Sequence, residues 1–217
     1  MSRDREKELA AEAAAQVVEA GMEVGLGTGS TVAYLLPAIA ARKLDIHCVA
    51  TSLETARKGR ELGLLVDEFS GPDAPSRLDI AIDGADQATR SGWLVKGGGA
   101  AHTREKAVAA AADRFLVIVS SDKLVERLEP PVPVELLAFG LAGTLHRLLE
   151  VQLRDVPLSP DGGVIADYLG PVDDPASLAI RLSTTVGVVE HGLFPPSMVS
   201  EVLVGRDDHV ERFSPGT

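Results

Sequence analysis

The chain has 217 residues, 45% hydrophobic and 24% charged, an ordinary globular balance that excludes the disordered, collagen-like and disulfide-scaffold classes. Its 21 basic and 32 acidic side chains give a net charge of −11, which argues against nucleic acid or an anionic membrane as the main partner. A small anion stays open as a ligand, because a few backbone N–H groups and one or two lysines can bind it.

Residues 3–20, rich in Ala, Glu, Lys and Arg, predict a helix closed by Gly21. The charged start, Met1 to Glu12, does not read as a signal peptide, and no apolar run approaches the about 20 residues of a bilayer span, so the cytoplasm is the expected location. Met22 to Leu26 predicts a strand running into Gly27-Thr28-Gly29-Ser30-Thr31, and Ser30 to Ala41 a helix that Pro37 should kink or split. Ile46 to Thr51 reads as a strand, Leu53 to Leu62 as a helix, and Leu78 to Ile82 as a strand ending in Asp83-Gly84-Ala85-Asp86. The lone Cys48 sits in the second of these strands as a small buried hydrophobe, so no internal disulfide exists.

Trp93 to Val95 is short and extended, followed by Lys96-Gly97-Gly98-Gly99, a helix over Ala100 to Asp113 and an all-apolar strand, Phe115 to Val119. This alternation predicts an α/β fold, a Rossmann-like doubly wound, mostly parallel sheet. Its polar motifs fall at the C-terminal ends of strands, where such sheets bind ligands. Three prolines in Pro130-Pro131-Val132-Pro133 mark a boundary. Beyond it the pattern reads helix in 134–149, strands at 151–154 and 164–168, helix at 175–184 and strands at 188–192 and 198–204. That order predicts a small α+β lid of ferredoxin-like type over residues 129–199, with a catalytic domain over 1–128 completed by about 200–217.

Four segments carry candidate chemistry. Glycine lets the backbone of 27–31 approach a ligand, and Ser30 and Thr31 add hydroxyls at a helix start, so the segment fits a phosphate; it equally fits a tight turn with Ser30 as an N-cap. It is no P-loop, since no Gly-Lys-Ser/Thr follows, and a dinucleotide fingerprint would need glycine where Ser30 stands. Asp83 and Asp86 could hold sugar hydroxyls or exchange protons with them; an Asx-type turn or a metal site are the other readings, and the five histidines show no ligand spacing. Three glycines after Lys96 lose much backbone entropy on ordering, which points to N–H groups aimed at developing negative charge. Glu105 falls in the first turns of the next helix, as a base or as a favourable helix-start charge, and His102 reads as a first-turn or surface residue. Lys123, after the strand at 115–119, is a further ligand-edge cation or a solvated lysine.

Together, residues 25–31, 83–86, 96–101 and 103–106 resemble the signature segments of ribose-5-phosphate isomerase, type A, in order and spacing. Pro133-Val134-Glu135, Gly187-Val188-Val189 and Gly192-Leu193-Phe194 extend the resemblance over nearly the whole chain. It implies interconversion of D-ribose 5-phosphate and D-ribulose 5-phosphate through an enediolate, in the non-oxidative pentose phosphate pathway, without metal or organic cofactor, by a homodimer or homotetramer. By position Glu105 matches the proton acceptor, with Asp83, Asp86 and Lys96 as catalytic partners. Thr28, Gly29, Ser30, Thr31, Asp83, Gly84, Ala85, Asp86, Lys96, Gly97, Gly98, Gly99, Lys123 and Lys7 match substrate-binding positions. Gln87, His102 and Ser159-Pro160-Asp161-Gly162-Gly163 depart from the family pattern. A non-catalytic sugar-phosphate sensor and a nicotinamide dehydrogenase are the alternatives; the charge and the absence of room for a helix-turn-helix before residue 22 weigh against the first, the defective fingerprint against the second.

Overall fold

The computed structural model describes residues 2–215, so Met1, Gly216 and Thr217, the ends of the expected catalytic domain, lie outside the described residues. Helix α1 (Arg3–Ala15) starts on Ser2, whose side chain accepts from the Arg5 N–H, and buries an alanine stripe of Ala10, Ala11, Ala14 and Ala15. It ends five residues short of expectation. Arg42 donates to the carbonyls of Ala15 and Val18, placing a cation at the helix's C-terminal end. After β1 (Glu23–Leu26), helix α2 (Val32–Ala40) runs through Pro37 without breaking. Pro37 and Ala33 are both on the exposed side, so the carbonyl that loses a donor faces water.

Strand β2 (His47–Ala50) leads through Ser52, which caps α3 (Leu53–Glu61) by accepting from the Thr55 N–H at 3.1 Å. Then follow β3 (Leu65–Asp67), β4 (Leu78–Asp83), β5 (Gln87–Thr89), β6 (Leu94–Val95) and α4 (His102–Ala111). Strand β7 (Ala112–Ser120) continues from α4 with no loop between, and β8 (Leu124–Val125) closes this half. The remainder comprises β9 (Val132–Leu136), α5 (Leu141–Leu148), β10 (Val151–Leu153), β11 (Val164–Tyr168), α6 (Pro175–Thr184), β12 (Val188–His191), β13 (Leu193–Phe194), β14 (Glu201–Arg206) and β15 (His209–Phe213).

The main sheet has the order β15-β14-β7-β4-β1-β2-β3, parallel throughout except for the antiparallel edge β15. The chain steps outward from β1 to β3, then returns to place β4 on the other side of β1. That reversal opens a crevice at the C-terminal ends of β1 and β4, the position at which doubly wound sheets bind ligands. Alternate residues build the two faces. Leu116 and Ile118 of β7 pack with α1 and α2, while Phe115, Val117 and Val119 pack with Val108 and Ala109 of α4. Each such fully buried side chain contributes about 1.5–3 kcal/mol.

A second sheet, β10-β11-β9-β12, is antiparallel throughout. With α5 and α6 it completes the β-α-β-β-α-β order of the ferredoxin-like motif. A third small sheet, β13-β6-β5-β8, ties the segments before Lys96 and after Asp83 to Leu193-Phe194.

Candidate active site

The crevice is furnished from both flanking strands. β1 ends in Gly27, where an added Cβ would lie 2.0 Å from the Asp83 carboxyl; only glycine lets the strand end close against β4. Asp83 then accepts from the N–H groups of Thr28 (3.0 Å) and Gly84 (2.7 Å), which joins the two loops. The Thr28 hydroxyl lies 2.7 Å from that of Thr51 at the end of β2. The N-cap of α2 is Thr31, not Ser30, and its side chain makes no cap hydrogen bond. The capping alternative for Ser30 is therefore not what the structure adopts.

Lys96 is carried in from β6 on the third sheet, its N–H bonded to the Gly192 carbonyl at 2.9 Å. Its side chain is 3% exposed, and Nζ stands 2.9 Å from Asp83 Oδ2 and 3.4 Å from Glu105 Oε2. Nζ also donates to the Gly84 carbonyl, and the Phe194 ring centroid lies 5.6 Å away. Glu105 sits on the first turns of α4 and is buried against this lysine rather than serving as a solvated helix-start charge. Its carboxyl is pushed up to about 8, first by burial and also by the Asp83 charge, against the opposing pull of Lys96. Burial likewise pushes Asp83 up. Burial alone would lower Lys96, but the charges of Asp83 and Glu105 raise it, so it stays a cation. Apart from its ion pair with Lys96, Glu105 Oε2 makes no well-formed hydrogen bond among the described residues.

The glycine run folds over this floor. Gly97 takes φ +102°, where its missing Cβ would meet the His102 ring at 2.7 Å. The Gly98 N–H is engaged by Asp86 Oδ2 at 2.7 Å, so of the three glycine donors expected to face a ligand, one holds a catalytic candidate instead.

Glu6 shapes the other part of the site. Its buried carboxylate accepts from the Ser121 N–H (2.9 Å) and hydroxyl, which fastens the start of α1 to the loop after β7. Burial pushes this carboxyl up, but the Ser121 donors outweigh it and the net shift is downward. Close packing allows the arrangement: a Cβ on Gly205 of β14 would lie 1.9 Å from the Glu6 carbonyl. Lys7 and Arg3 thereby line the same cavity as Lys123.

A cavity of about 250 Å³ unites Lys7, Thr28, Gly29, Ser30, Thr31, Gly84, Ala85, Asp86, Lys96, Gly97, Gly98, Gly99, Glu105 and Lys123. Asp83 lies beneath it, against Lys96. Arg3, Ser120 and Asp122 also line it and escaped sequence reasoning. Arg3 offers only its spacing of four from Lys7, one helical turn, as a signal. Among the described residues, no group of three or more His, Cys, Asp or Glu is placed to hold a metal.

Two of the three departures gain local hydrogen-bond partners, and the third, His102, is held by packing. The Gln87 amide donates to the Glu129 carbonyl (2.7 Å) and accepts from its N–H (2.8 Å), a double role a carboxylate could not fill. His102 is fully buried rather than at the surface, with neither ring nitrogen bonded among the described residues; burial, then the Lys106 charge, pushes it down to about 4 and keeps it neutral. In the 159–163 segment, Ser159 donates to Glu135 and Asp161 forms a two-pronged pair with Arg104 at 2.7 and 2.8 Å.

A doubly wound sheet with a buried acid–lysine–acid cluster and a cation-bearing cavity at its switch point is the arrangement of an α/β enzyme able to take a small anion and move a proton. The family model for ribose 5-phosphate isomerase A (phosphoriboisomerase A) matches residues 47–209. Ribose-5-phosphate isomerase A of Caulobacter sp. (strain K31) is 42% identical over 230 residues, covering 99% of this chain and 100% of its own. The crystal structure of ribose 5 phosphate isomerase A from Neisseria gonorrhoeae superposes with a TM-score of 0.93 at 29% identity, covering 100% of this chain and 99% of its own. A D-ribose-5-phosphate isomerase solved in complex with phospho-erythronic acid gives 0.91 at 31% identity, covering 99% and 100%. The chain belongs to the ribose 5-phosphate isomerase A family.

Proposed function

We infer that the chain is an aldose–ketose isomerase that interconverts D-ribose 5-phosphate and D-ribulose 5-phosphate, a step of the non-oxidative pentose phosphate pathway. One observation carries the assignment of residues: Lys96 Nζ is held between the carboxylates of Asp83 and Glu105 in the floor of a cavity that also contains Arg3, Lys7 and Lys123. The open-chain aldose has an acidic C2 proton only because the neighbouring carbonyl can accept charge. Ionised Glu105 takes that proton, the C1–C2 bond gains double character, and O1 becomes an oxyanion. Lys96 and the loop N–H groups stabilise that charge, while Asp83 and Asp86 handle the protons on O1 and O2. Returning the proton from Glu105 to C1, while O1 takes up a proton and the O2 hydroxyl gives one up to leave the C2 carbonyl, gives the ketose, so atoms and charge balance without a redox partner. A carboxyl near 8 is a stronger base than an ordinary glutamate. The cations, with Ser30, Thr31 and their N–H groups, hold the phosphate and orient the sugar. Phospho-erythronic acid, in complex with one solved D-ribose-5-phosphate isomerase, shares a phosphate and a polyhydroxylated chain with this substrate and carries a carboxylate besides.

The test is ribose 5-phosphate in the presence of EDTA, followed for ketose. Steady formation is expected, since side chains alone carry the scheme; absence of ketose defeats it. The family gives no support to a sugar-phosphate sensor or a dehydrogenase.

No described helix is long and apolar enough to cross a membrane. We place the enzyme in the cytoplasm. The division proposed is 1–128 with 200–217 as catalytic body and 129–199 as lid, supported by a sheet built wholly from strands between 132 and 191. Exposed Phe139 (95%), Val186 (76%) and Leu149 (73%) on that lid support a homodimer or homotetramer, and a monomer mass by light scattering would remove it.

A further inference from the structure

Arg154 follows β10 and extends its pairing with β11 through an N–H bond to the Ile165 carbonyl at 3.0 Å. Its side chain is 16% exposed and is squared up by Asp167 of β11 in a two-pronged pair at 2.7 and 2.6 Å. The remaining nitrogen, Nη1, leaves the lid sheet altogether and donates to the carbonyls of Gly97 (2.8 Å) and Gly98 (3.1 Å). In a trans peptide the carbonyl and the following N–H point in opposite directions. The two peptides gripped by Arg154 therefore carry the Gly98 and Gly99 N–H groups away from it. The Gly98 N–H meets Asp86 at 2.7 Å, and Gly98, Gly99 and Asp86 all line the cavity.

We propose that Arg154, oriented by Asp167, is a positioning residue for isomerisation: it fixes the peptide planes of the glycine loop so that the Gly98 N–H orients Asp86 and the Gly99 N–H faces the developing oxyanion. The proposal rests on the reading of the site given above. Glycines are the residues least able to hold such an orientation unaided. A guanidinium on both carbonyls supplies the constraint and also polarises the two N–H donors. The lid sheet thereby acts on the chemistry through one side chain that never touches substrate.

The test compares wild type, Arg154→Ala, Arg154→Lys and Asp167→Asn in ketose formation from ribose 5-phosphate. Arg154→Ala is expected to lower kcat about 10–100-fold with KM within about threefold, because misplacement by an ångström has that scale of effect. Guanidinium chloride, below concentrations that unfold the protein, should restore part of that kcat where equal sodium chloride does not. Arg154→Lys should recover little, since an ammonium cannot bridge two carbonyls and a carboxylate together. Arg154→Ala with kcat within about twofold of wild type, or with a raised KM at unchanged kcat, overturns the proposal. If Arg154→Ala fails to fold, Asp167→Asn decides: a fall in kcat of about 3–10-fold at constant KM supports the role, and unchanged kcat overturns it. No turnover by wild type defeats the proposed function itself, whereas wild-type turnover with unaffected variants defeats only the role of Arg154.

Discussion

Glu105→Gln is expected to lower kcat at least about a hundredfold while leaving KM for ribose 5-phosphate largely unchanged. The amide keeps the size of the carboxyl but cannot accept the C2 proton. The phosphate contacts, made by other residues of the cavity, remain. In wild type the base is functional only when ionised, and burial pushes its pKa up to about 8. The rate kcat/KM should accordingly rise with pH and level off above about 8, and the variant's residual rate should lack that limb. Stability should move the other way. A carboxyl at about 8 in the fold and 4.5 when unfolded contributes stability that is fully present below 4.5 and lost as pH rises through 8. The amide does not titrate, so the variant should melt higher than wild type at pH 8, with the difference closing toward pH 4.5. Turnover near the wild-type rate would remove Glu105 from the chemistry.

How far the sequence discloses this arrangement depends on the range of the interaction involved. The motifs at 27–31, 83–86 and 96–99 are legible together: the first two read singly as turns, but three such segments following extended stretches point to one shared ligand edge. The convergence of the first two follows from the strand reversal between β1 and β4, and the third is carried in by β6 of the small third sheet. Other features hinge on distant partners. Strand β3 is three residues long with Val66 alone turned inward, too short for any period to show. Strand β9 contains Pro133, which argues for an edge, yet it lies between β11 and β12 as a central strand. Its carbonyl still accepts from the Gly192 N–H at 2.7 Å, and all five of its residues are buried, so packing overrides the missing donor. The end of helix α1 is met by Arg42, 27 positions beyond Ala15 in the chain. His102 shows the same limit: nothing near it in sequence marks it as buried, because Gly97 is the residue that must lack a Cβ to admit its ring. Arg154 resembles any exposed strand-end arginine until the glycine carbonyls appear in front of it.

Lys96→Met tests whether the cation at the cavity floor does chemistry or merely neutralises its neighbours. The loss leaves Asp83 and Glu105, 3% and 6% exposed, as two buried carboxyls with no counter-charge. Removing one partner of such a cluster typically destabilises by about 3–5 kcal/mol, moderated here by one carboxyl taking up a proton. Since the Lys96 charge is what opposes the upward push on Glu105, the rise of kcat/KM with pH should move to higher pH. With the oxyanion contact also gone, kcat should fall about 10²–10³-fold even where Glu105 is ionised. Adding Asp83→Asn separates the two roles. The paired variant removes the cation and one of its anions together, and the new amide retains an oxygen for the N–H groups of Thr28 and Gly84 that now donate to Asp83. Thermal stability should therefore recover much of the loss. The rate should not, because neither the positive charge beside O1 nor the proton-handling carboxyl of Asp83 remains. If turnover returned along with stability, Lys96 would be a structural counter-ion and the oxyanion would have to be held by the glycine loop alone.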